Sequence, residues 1–396
     1  MLNIIVPLAG TGSRFLRDGY TRPKPFIKAR GKELVLWLLE GLVFQAGDVL
    51  VMIFNDKPEI GMSPAGFFII VQDYVSSLPN EAKPELKLVC MDSPTVGAAE
   101  TVFRGLRSLS PDRLNLPAVL LDGDTFYSDD VLGNFRKMCS TVDLTNPSHI
   151  TGGCVAVFVD DKPNESPYSY VKVEKHSDIV THIKEKSKEG MSRLACSGCY
   201  GFFYSMALMT EIQTALTAYM EKHERSEVQH ELYTSAIISN MLSKGGYFKT
   251  IKLEGADFTV LGTPAQLISF ITSAGSTKQE KKRVCVDLDN TLVTNPTVPG
   301  DYTTCKPIHR VINYIRNLHA CGHYIIIHTA RRMRTHGGNI GRVTADIGRI
   351  TIDQLSEYGI PHDELIFGKP FADFYIDDKA ILPFVDELHK ETGFMA

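Results

Sequence analysis

Residues 3–15 have the sequence NIIVPLAGTGSRF, a short apolar run followed by a loop that contains two glycines. The run NIIVPLA (3–9) has the length and composition of a buried β-strand. Gly10 and Gly12 allow a tight turn that brings the backbone close to a ligand, and Arg14 adds a positive charge. Such a loop can present backbone N–H groups to a phosphate, but paired glycines are also common in ordinary turns between a strand and a helix. The stretch therefore predicts an α/β fold, and its context must decide whether it binds a nucleotide.

Strand and helix patterns alternate through the first part of the chain. Further strands are predicted at DVLVMIF (48–54), LKLVCM (86–91) and PAVLLDGD (117–124). Helices are predicted at ELVLWLLEGLVFQAG (33–47) and from Ala98 to Leu109. This alternation is typical of βαβ units on a mostly parallel sheet.

The middle of the chain departs from this alternation. Between residues 153 and 185 the sequence consists of short β-rich pieces with period-two stretches, which predicts an inserted hairpin layer. Helical spacing returns in EVQHELYTSAIISNML (227–242). We therefore expect a mostly parallel sheet with an added β layer.

The residues of TSAGSTKQEKKR (272–283) are small, polar or basic and show no apolar periodicity, which predicts a linker. After it strand and helix patterns alternate again, and the remaining residues are enough for one small α/β domain. We therefore expect two domains, at residues 1–272 and 282–396, joined by a linker at 273–281.

Composition argues against several classes of protein. The chain has 396 residues, of which 43% are hydrophobic and 22% charged, so a packed core is expected. A net charge of -4 with both signs interspersed argues against a nucleic-acid partner. No apolar run approaches the roughly 20 residues of a membrane span, and the N-terminus lacks the features of a signal peptide. Among eight cysteines only Cys196 and Cys199 form a CxxC, so reduced core cysteines are favoured over a zinc or redox site. We expect a soluble, cytoplasmic protein.

The glycine loop is followed by GYTRPKP (19–25), in which two prolines stiffen the backbone around Lys24. LAGxGSRF followed by GYTxPKP resembles the sugar-phosphate nucleotidyltransferases, whose fold is a Rossmann-like sheet with an inserted β layer. The resemblance extends over residues 1–272. Further motifs of that family follow in the same order, namely PTVGAAETV (94–102), LLDGDTF (120–126), VTHIKEKS (180–187), CSGCYGFF (196–203), HELYTSA (230–236) and FTVLGTPAQLISF (258–270).

This resemblance implies roles for individual residues. Attack of a phosphate oxygen on the α-phosphorus of a nucleoside triphosphate needs charge neutralisation and in-line positioning rather than a covalent nucleophile. Lys24 would neutralise the α-phosphate, and Lys186 would bind the phosphate of the acceptor. Asp124 would bind Mg²⁺, which prefers hard oxygen ligands. The residues expected to hold the nucleotide are Leu8, Ala9, Gly10, Gly12, Arg14, Gly97 and Asp122, of which Arg14 is also an expected catalytic cation.

One position departs from the family pattern. Many members carry a second metal-binding Asp two residues before the GTP of the final turn, where this chain has Val260. Asp257, three residues earlier, is the candidate replacement. Some branches of the family also have LGTP here, so the missing Asp does not by itself indicate an inactive site.

A second site is predicted at DLDNT (287–291), where Asp287 and Asp289 flank Leu288 at the end of an apolar run. At a strand end the chain can curl so that both carboxylates meet one metal ion. DxDxT after a strand resembles the first motif of the HAD phosphohydrolases. The later motifs of that superfamily follow in order, with Thr329 in IIIHTARR (325–332), Lys369 in IFGKP (366–370), and Asp377 and Asp378 in FYIDDKA (374–380). Each motif ends a predicted strand, so all should meet at the carboxyl edge of one doubly wound parallel sheet.

The HAD resemblance again implies roles. Asp287 would attack phosphorus and form an aspartyl-phosphate, and Asp289 would protonate the leaving oxygen and then activate water. Thr329 and Lys369 would hold phosphate oxygens. Mg²⁺ would be bound by a shell drawn from Asp287, Asp289, Asp377 and Asp378.

Within the superfamily, TARRMRTHGGNIGR (329–342) looks closest to small phosphatases encoded with capsule polysaccharide genes. The short segment between Asp289 and Thr329 leaves no room for a large cap, so an open site is expected. The loop is rich in arginine, which fits either a solvated basic surface or recognition of an anionic substrate, with Arg331 as the candidate phosphate contact.

Together the two resemblances imply a bifunctional enzyme that serves the synthesis of activated precursors for a surface glycan. Its partners would be a nucleoside triphosphate and phosphorylated small molecules. The alternative is a phosphatase whose first domain senses a nucleotide or sugar without catalysis, and Val260 is the sequence feature that favours it. The sequence leaves open the base, the acceptor, the order of the two reactions and the oligomeric state.

Overall fold

The computed structural model describes residues 1–20, 22–55, 64–161, 168–187, 189–224, 231–273, 281–377, 379–381 and 388–394. The chain divides into two compact units, the first made of Met1–Ile27 and Glu33–Leu267 and the second of Lys28–Lys32 and Ile268–Ala396. Most of the expected linker lies outside the described residues. The domain boundaries expected from the sequence therefore stay a prediction.

The secondary structure alternates between strands and helices. The strands are β1 (Asn3–Pro7), β2 (Lys28–Ala29), β3 (Lys32–Glu33), β4 (Val49–Asn55), β5 (Glu85–Met91), β6 (Ala118–Leu121), β7 (Thr125–Tyr127), β8 (Gly153–Val159), β9 (Ser169–Val173), β10 (Ile179–Glu185), β11 (Leu194–Phe202), β12 (Phe248–Lys252), β13 (Phe258–Val260), β14 (Arg283–Val286), β15 (Tyr324–Thr329) and β16 (Glu364–Phe367). The α-helices are α1 (Ser13–Arg17), α2 (Leu34–Glu40), α3 (Pro64–Ser77), α4 (Ala98–Arg107), α5 (Pro111–Leu114), α6 (Val131–Thr141), α7 (Pro147–Ile150), α8 (Ser205–Glu224), α9 (Thr234–Ser243), α10 (Pro264–Thr272), α11 (His309–Ala320), α12 (Ile340–Glu357) and α13 (Leu388–Thr392). Short 3₁₀ turns occur at Lys24–Phe26, Asn80–Ala82 and Tyr302–Thr304.

The main sheet of the first unit has the order β5-β4-β1-β6-β11-β8-β12-β10-β9. Strands β5, β4, β1 and β6 run parallel, as the alternating pattern predicts. Ile4 and Val6 of β1 pack into one hydrophobic cluster with α2, whereas Ile5 packs into another with α4. Burial on both faces explains why β1, β4 and β6 are almost wholly apolar, whereas the edge strand β5 is more exposed.

The β-rich middle of the chain extends this sheet. β9 and β10 form an antiparallel hairpin, as the period-two pattern predicts. The expectation of a separate inserted layer is wrong, because β10 also pairs with β12, and β12 with β8. Open edges of the main sheet offer unpaired N–H and C=O groups, and the added strands satisfy them there.

Two predicted helices have different bounds in the structure. The helix expected over 33–47 ends at Glu40. Gly41, which follows it, lies against the backbone of Tyr127, where an added Cβ would be 2.3 Å from the carbonyl oxygen. The helix expected over 227–242 begins at Thr234, and residues 225–230 lie outside the described part. Apolar spacing alone does not record where a neighbouring element must approach closely.

In the second unit β14, β15 and β16 form a parallel sheet in that order. Its core includes Leu288, Ile312, Ile315, Ile325 and Ile327, so α11 covers the sheet through its apolar stripe. The carboxyl ends of the three strands meet at one edge, as the sequence predicts.

The strand predicted at FYIDD is not formed in the described residues. Residues 374–377 have no strand partner and Ile376 is 93% exposed. A strand needs a neighbour for its backbone hydrogen bonds, and among the described residues this segment does not pair with the edge strand β14. Asp378 lies outside the described residues. Within the described ranges, no helix combines the length and apolar character needed to cross a membrane.

Candidate active sites

A cavity of about 510 Å³ opens at the carboxyl edge of the parallel strands in the first unit. Each parallel strand is followed by a loop at this edge, and the polar side chains of these loops lie close together. The lining includes every residue predicted for the transferase site except Asp257, namely Leu8, Ala9, Gly10, Gly12, Arg14, Lys24, Gly97, Asp122, Asp124 and Lys186.

The glycine loop and the Lys24 loop fit closely against each other. Gly12 has a positive φ of 63° and directly precedes α1. An added Cβ at Gly12 would lie 3.2 Å from the Cβ of Lys24, so both the conformation and the space favour glycine. Lys24 donates from Nζ to Oδ2 of Asp124 at 2.5 Å. The predicted cation and the predicted metal ligand therefore meet at the base of the cavity.

Asp122 and Asp124 place two carboxylates in this cavity. Asp122 is an exposed residue of this cavity, although Gly198 packs closely against its carboxylate. Desolvation by the protein around it, and then the negative charge of Asp124, raises the pKa of Asp122. Gly198 of β11 lies behind it, where an added Cβ would be 2.5 Å from a carboxylate oxygen. Lys24, which pairs with Asp124, offsets part of this negative charge.

Lys186 lies at the other side of the cavity, at the end of β10. Its Nζ donates to the hydroxyl of Tyr233 at 3.0 Å, and that hydroxyl donates to Oε2 of Glu231 at 2.5 Å. The hydrogen bond to Tyr233 is the main reason that the pKa of Lys186 is raised. Sequence reasoning missed Glu231 and Tyr233 as individual residues, although both belong to the HELYTSA motif that it matched.

Gly97 holds two walls of the cavity together. Its φ is 149°, and an added Cβ would lie 2.6 Å from the backbone nitrogen and oxygen of Leu232. The flanking backbone confirms the close approach, since Ala99 N donates to Leu232 O at 3.0 Å and Leu232 N donates to Val96 O at 2.9 Å. The segment before α4 is therefore fixed to the segment that carries Tyr233.

Asp257 is the predicted residue that the structure leaves out of the cavity lining. Its Oδ2 accepts a hydrogen bond from Glu254 N at 2.6 Å, and its backbone oxygen accepts from Ser128 N at 2.7 Å. The carboxylate of Asp257 therefore stabilises the turn formed by residues 254–257. The final turn instead reaches Asp124 through backbone, since Leu261 N donates to Asp124 O at 2.7 Å. In the described part of the chain, no three His, Cys, Asp or Glu side chains come together as a metal-binding group.

The second unit brings Asp287 and Lys369 together. Asp287 follows β14, and Lys369 follows β16 with its Nζ 3.1 Å from Oδ2 of Asp287. The backbone N–H of Lys369 donates to the carbonyl of Thr329 at 3.2 Å. The ends of three strands therefore contribute to one small region, although their motifs are far apart in sequence.

Asp289 is held by Thr329 and Arg331, at the end of β15 and in the loop that follows it. Arg331 Nε lies 2.9 and 3.1 Å from its two carboxylate oxygens, and Thr329 Oγ1 lies 3.5 Å from one of them. Burial raises the pKa of Asp289, and the positive charge of Arg331 only partly opposes the shift. This environment favours a protonated Asp289 more than water does.

Arg331 does not have the setting expected of a substrate-phosphate contact. It is 2% exposed, and it donates from Nη1 to Thr351 Oγ1 at 3.1 Å and from Nη2 to Gln354 Oε1 at 2.7 Å. Its guanidinium is thus committed to Asp289 and to α12. The exposed arginines of this region are Arg334 in the loop and Arg342 in the first turn of α12.

Asp377 lies in the exposed segment that lacks a strand, and its Oδ1 accepts a hydrogen bond from Lys379 N at 2.7 Å. The structure does not describe Asp378. The Mg²⁺ role of both residues stays a prediction.

The CxxC cysteines are buried in β11. Burial raises the pKa of the Cys199 thiol to about 12, so it stays protonated and unreactive near neutral pH. This environment is that of ordinary core cysteines.

Comparison with known proteins agrees with the family and fold predicted for the first unit. The family model described as "Nucleotidyl transferase" matches residues 4–244. A nucleoside-diphosphate-sugar pyrophosphorylase from Vibrio cholerae RC9 is 21% identical, covers 68% of this chain and 100% of its own, and has a TM-score of 0.52, which shows a shared fold. A UDP-glucose pyrophosphorylase from Acinetobacter baumannii is 14% identical over 68% of this chain and 92% of its own, with a TM-score of 0.49. Another Vibrio cholerae structure is 37% identical over 29% of this chain and 89% of its own, with a TM-score of 0.26. No curated protein matches the chain.

Proposed function

This chain belongs to the nucleotidyl transferase family, and from that premise we propose that its first unit transfers a nucleotidyl group from a nucleoside triphosphate to a phosphorylated sugar, polyol or similar small alcohol, releasing pyrophosphate. The observation that carries this proposal is the cavity that gathers the glycine loop, Lys24, Asp124 and Lys186. These groups suit two phosphorylated ligands that must be held side by side.

The chemistry needs little more than position and charge. An oxygen of the acceptor phosphate attacks the α-phosphorus, the bond to the β-phosphate oxygen breaks, and pyrophosphate leaves. Backbone N–H groups around Gly10 and Gly12, with Arg14, would hold the triphosphate. Lys24 would stabilise charge on the α-phosphate, and Lys186 would hold the acceptor phosphate in line for attack.

Mg²⁺ is the metal that this site would take, because its donors are carboxylate oxygens. Asp124 would hold the ion, and the donor set supports the fit, since the carboxylates of Asp122 and Asp124 line the same cavity. Bound Mg²⁺ would neutralise part of the triphosphate charge.

We further propose that the second unit hydrolyses a phosphate monoester. What supports it is the meeting of Asp287, Lys369, Asp289 and Thr329 at the ends of parallel strands. Asp287 would attack phosphorus and form the aspartyl-phosphate, while Asp289 gives its proton to the departing oxygen. Asp289 would then take a proton from water, which attacks phosphorus and frees Asp287. A Mg²⁺ ion held by Asp287 with Asp377 and Asp378 would neutralise phosphate charge.

Both activities fit the synthesis of activated precursors for a surface glycan such as a capsule, in the cytoplasm where nucleoside triphosphates are available. A second candidate is a first unit that senses a nucleotide or sugar without catalysis. It is favoured by Val260 at the usual metal position and by the engagement of Asp257 in its own turn.

Substitution at Asp124 separates these candidates. Asp124→Asn keeps the shape but loses the charge that binds Mg²⁺, so pyrophosphate release should disappear while hydrolysis of an aryl phosphate survives. Asp257→Asn, a matched acidic residue outside the cavity lining, should cost much less. A wild-type chain that binds nucleoside triphosphates but releases no pyrophosphate with any phosphorylated acceptor would support the sensor instead.

The phosphatase has a test of its own. Asp287→Asn should eliminate hydrolysis of every phosphate monoester, because no aspartyl-phosphate can form. A phosphorylated protein trapped by acid quench should carry its phosphate on Asp287. A trapped phosphate on another residue would overturn this assignment.

A further inference from the structure

Asn55 is a buried polar residue that no function so far accounts for. It is the last residue of β4, is 2% exposed and lines the cavity of the first unit. Its side-chain carbonyl oxygen is buried and has no hydrogen-bond partner in the described part of the chain. Buried polar atoms are nearly always paired, so an unpaired acceptor in a ligand cavity indicates a partner that arrives with the ligand.

The position of Asn55 along the sheet edge indicates which part of the ligand it meets. β4 lies between β5 and β1. On the β1 side Leu8 N donates to Ile53 O at 2.6 Å, which brings the glycine loop beside the end of β4. On the β5 side Asn55 is opposite Met91, shortly before the cavity wall at Pro94.

The strand order places the glycine loop after β1 beside Asn55, and Asp124 after β6 beyond that loop. Lys186 follows β10, which runs antiparallel to these strands, and it lines the same cavity. A nucleotide whose phosphates lie between the glycine loop and Asp124 has its base on the opposite side of that loop, where Asn55 and Pro94 line the cavity.

The other polar groups of that wall already have partners. Thr95 and Thr101 share a hydrogen bond of 2.9 Å between their hydroxyls, and Val96 N donates to Glu100 Oε2 at 2.9 Å. Asn55 Oδ1, by contrast, has no hydrogen-bond partner among the residues that the structure describes.

We propose that Asn55 reads the base of the nucleoside triphosphate by accepting a hydrogen bond from a base N–H group. This role rests on the proposed function of the first unit. An Asn amide has both an acceptor and a donor, so it can pair with adjacent groups on one edge of a base and discriminate between bases.

Binding of ATP, GTP, CTP and UTP to the full chain, measured by calorimetry with Mg²⁺, tests this role. Asn55→Leu keeps a similar side-chain shape but cannot form the hydrogen bond. It should weaken binding of the preferred triphosphate by about tenfold and reduce the differences in affinity among the four triphosphates. Asn55→Asp keeps the acceptor and should retain more of the preference. Inorganic tripolyphosphate, which has no base, should bind wild type and Asn55→Leu equally.

Asn3 offers a matched control. It too is buried with an unpaired side-chain oxygen, but it does not line the cavity, and its amide nitrogen donates to Arg113 O and Ser205 Oγ. Asn3→Leu should lower thermal stability without changing the ranking of the four triphosphates.

The possible failures are distinguishable. Equal weakening of all four triphosphates and of tripolyphosphate by Asn55→Leu, or no effect on the ranking, would overturn the role of Asn55 alone. A wild-type chain that binds none of the four would overturn the proposed function and this inference together.

Discussion

Arg331→Met tests how the candidate phosphatase site holds Asp289. Arg331 has no exposed side-chain surface, and Asp289 has 23% of its side chain exposed. The pKa of Asp289 is raised even with Arg331 beside it, so burial outweighs the attraction of the pair. Such a pair adds little net stability, but removal of one partner leaves an uncompensated buried charge.

The expected cost of Arg331→Met is therefore about 3 kcal/mol, at the lower end of the usual range for a broken buried pair, because Asp289 keeps some water. The substitution also leaves Thr351 and Gln354 without their donor. Asp289→Asn in the same chain removes the stranded charge. The double variant should then recover at least about 1 kcal/mol relative to the sum of the two single effects.

Native-state hydrogen exchange of the amides in β15 and α12 measures this locally. It is better suited than fluorescence, since the single tryptophan, Trp37, is in the first unit. Additivity of the two substitutions to within about 0.5 kcal/mol would show that Arg331 and Asp289 are not coupled and would refute this reasoning.

Three further substitutions test other parts of the structure. Gly97→Ala should weaken binding of nucleoside triphosphates at least about tenfold by calorimetry, because the new Cβ would push against the backbone of Leu232; unchanged affinity would contradict the close approach. Tyr233→Phe removes the hydroxyl that holds Lys186, and it should raise the KM for the phosphorylated acceptor by about tenfold while the KM for the triphosphate stays unchanged; equal changes in both KM values would argue against it. Phe394→Ala should lower the free energy of opening of α11 by about 3 kcal/mol in hydrogen exchange, since Phe394 is 5% exposed in the core of the second unit; an effect below about 0.5 kcal/mol would show that this end of the chain does not pack there.

The strands, and the polar residues that follow their carboxyl ends, were predictable because apolar runs bounded by polar residues are local signals. β1, β14 and β15 each follow this rule, and the residues after them lie at the sheet edges as expected. The resemblance to nucleotidyltransferases placed ten residues that do line one cavity. These features depend on short motifs that need little knowledge of the rest of the chain.

Features that depend on contacts between distant segments were not predictable. The role of Arg331 differs from the expected phosphate contact because Thr351 and Gln354 on α12 take its guanidinium. Asn55 carries no local motif, and it becomes notable only when burial leaves its oxygen without a partner. Asp257 was a reasonable candidate by spacing, but the turn that it caps directs it elsewhere.

The central claim is that the first unit joins a nucleotide to a phosphorylated acceptor. Its most direct test is mass spectrometry of the products formed by the full chain from each nucleoside triphosphate and a panel of sugar and polyol phosphates, with ¹⁸O in the acceptor phosphate. We predict pyrophosphate without label, and a nucleoside diphosphate conjugate that retains the labelled acceptor phosphate, with none formed by Asp124→Asn. Label in free phosphate alone, with no conjugate from any pair, would contradict nucleotidyl transfer and leave only hydrolysis.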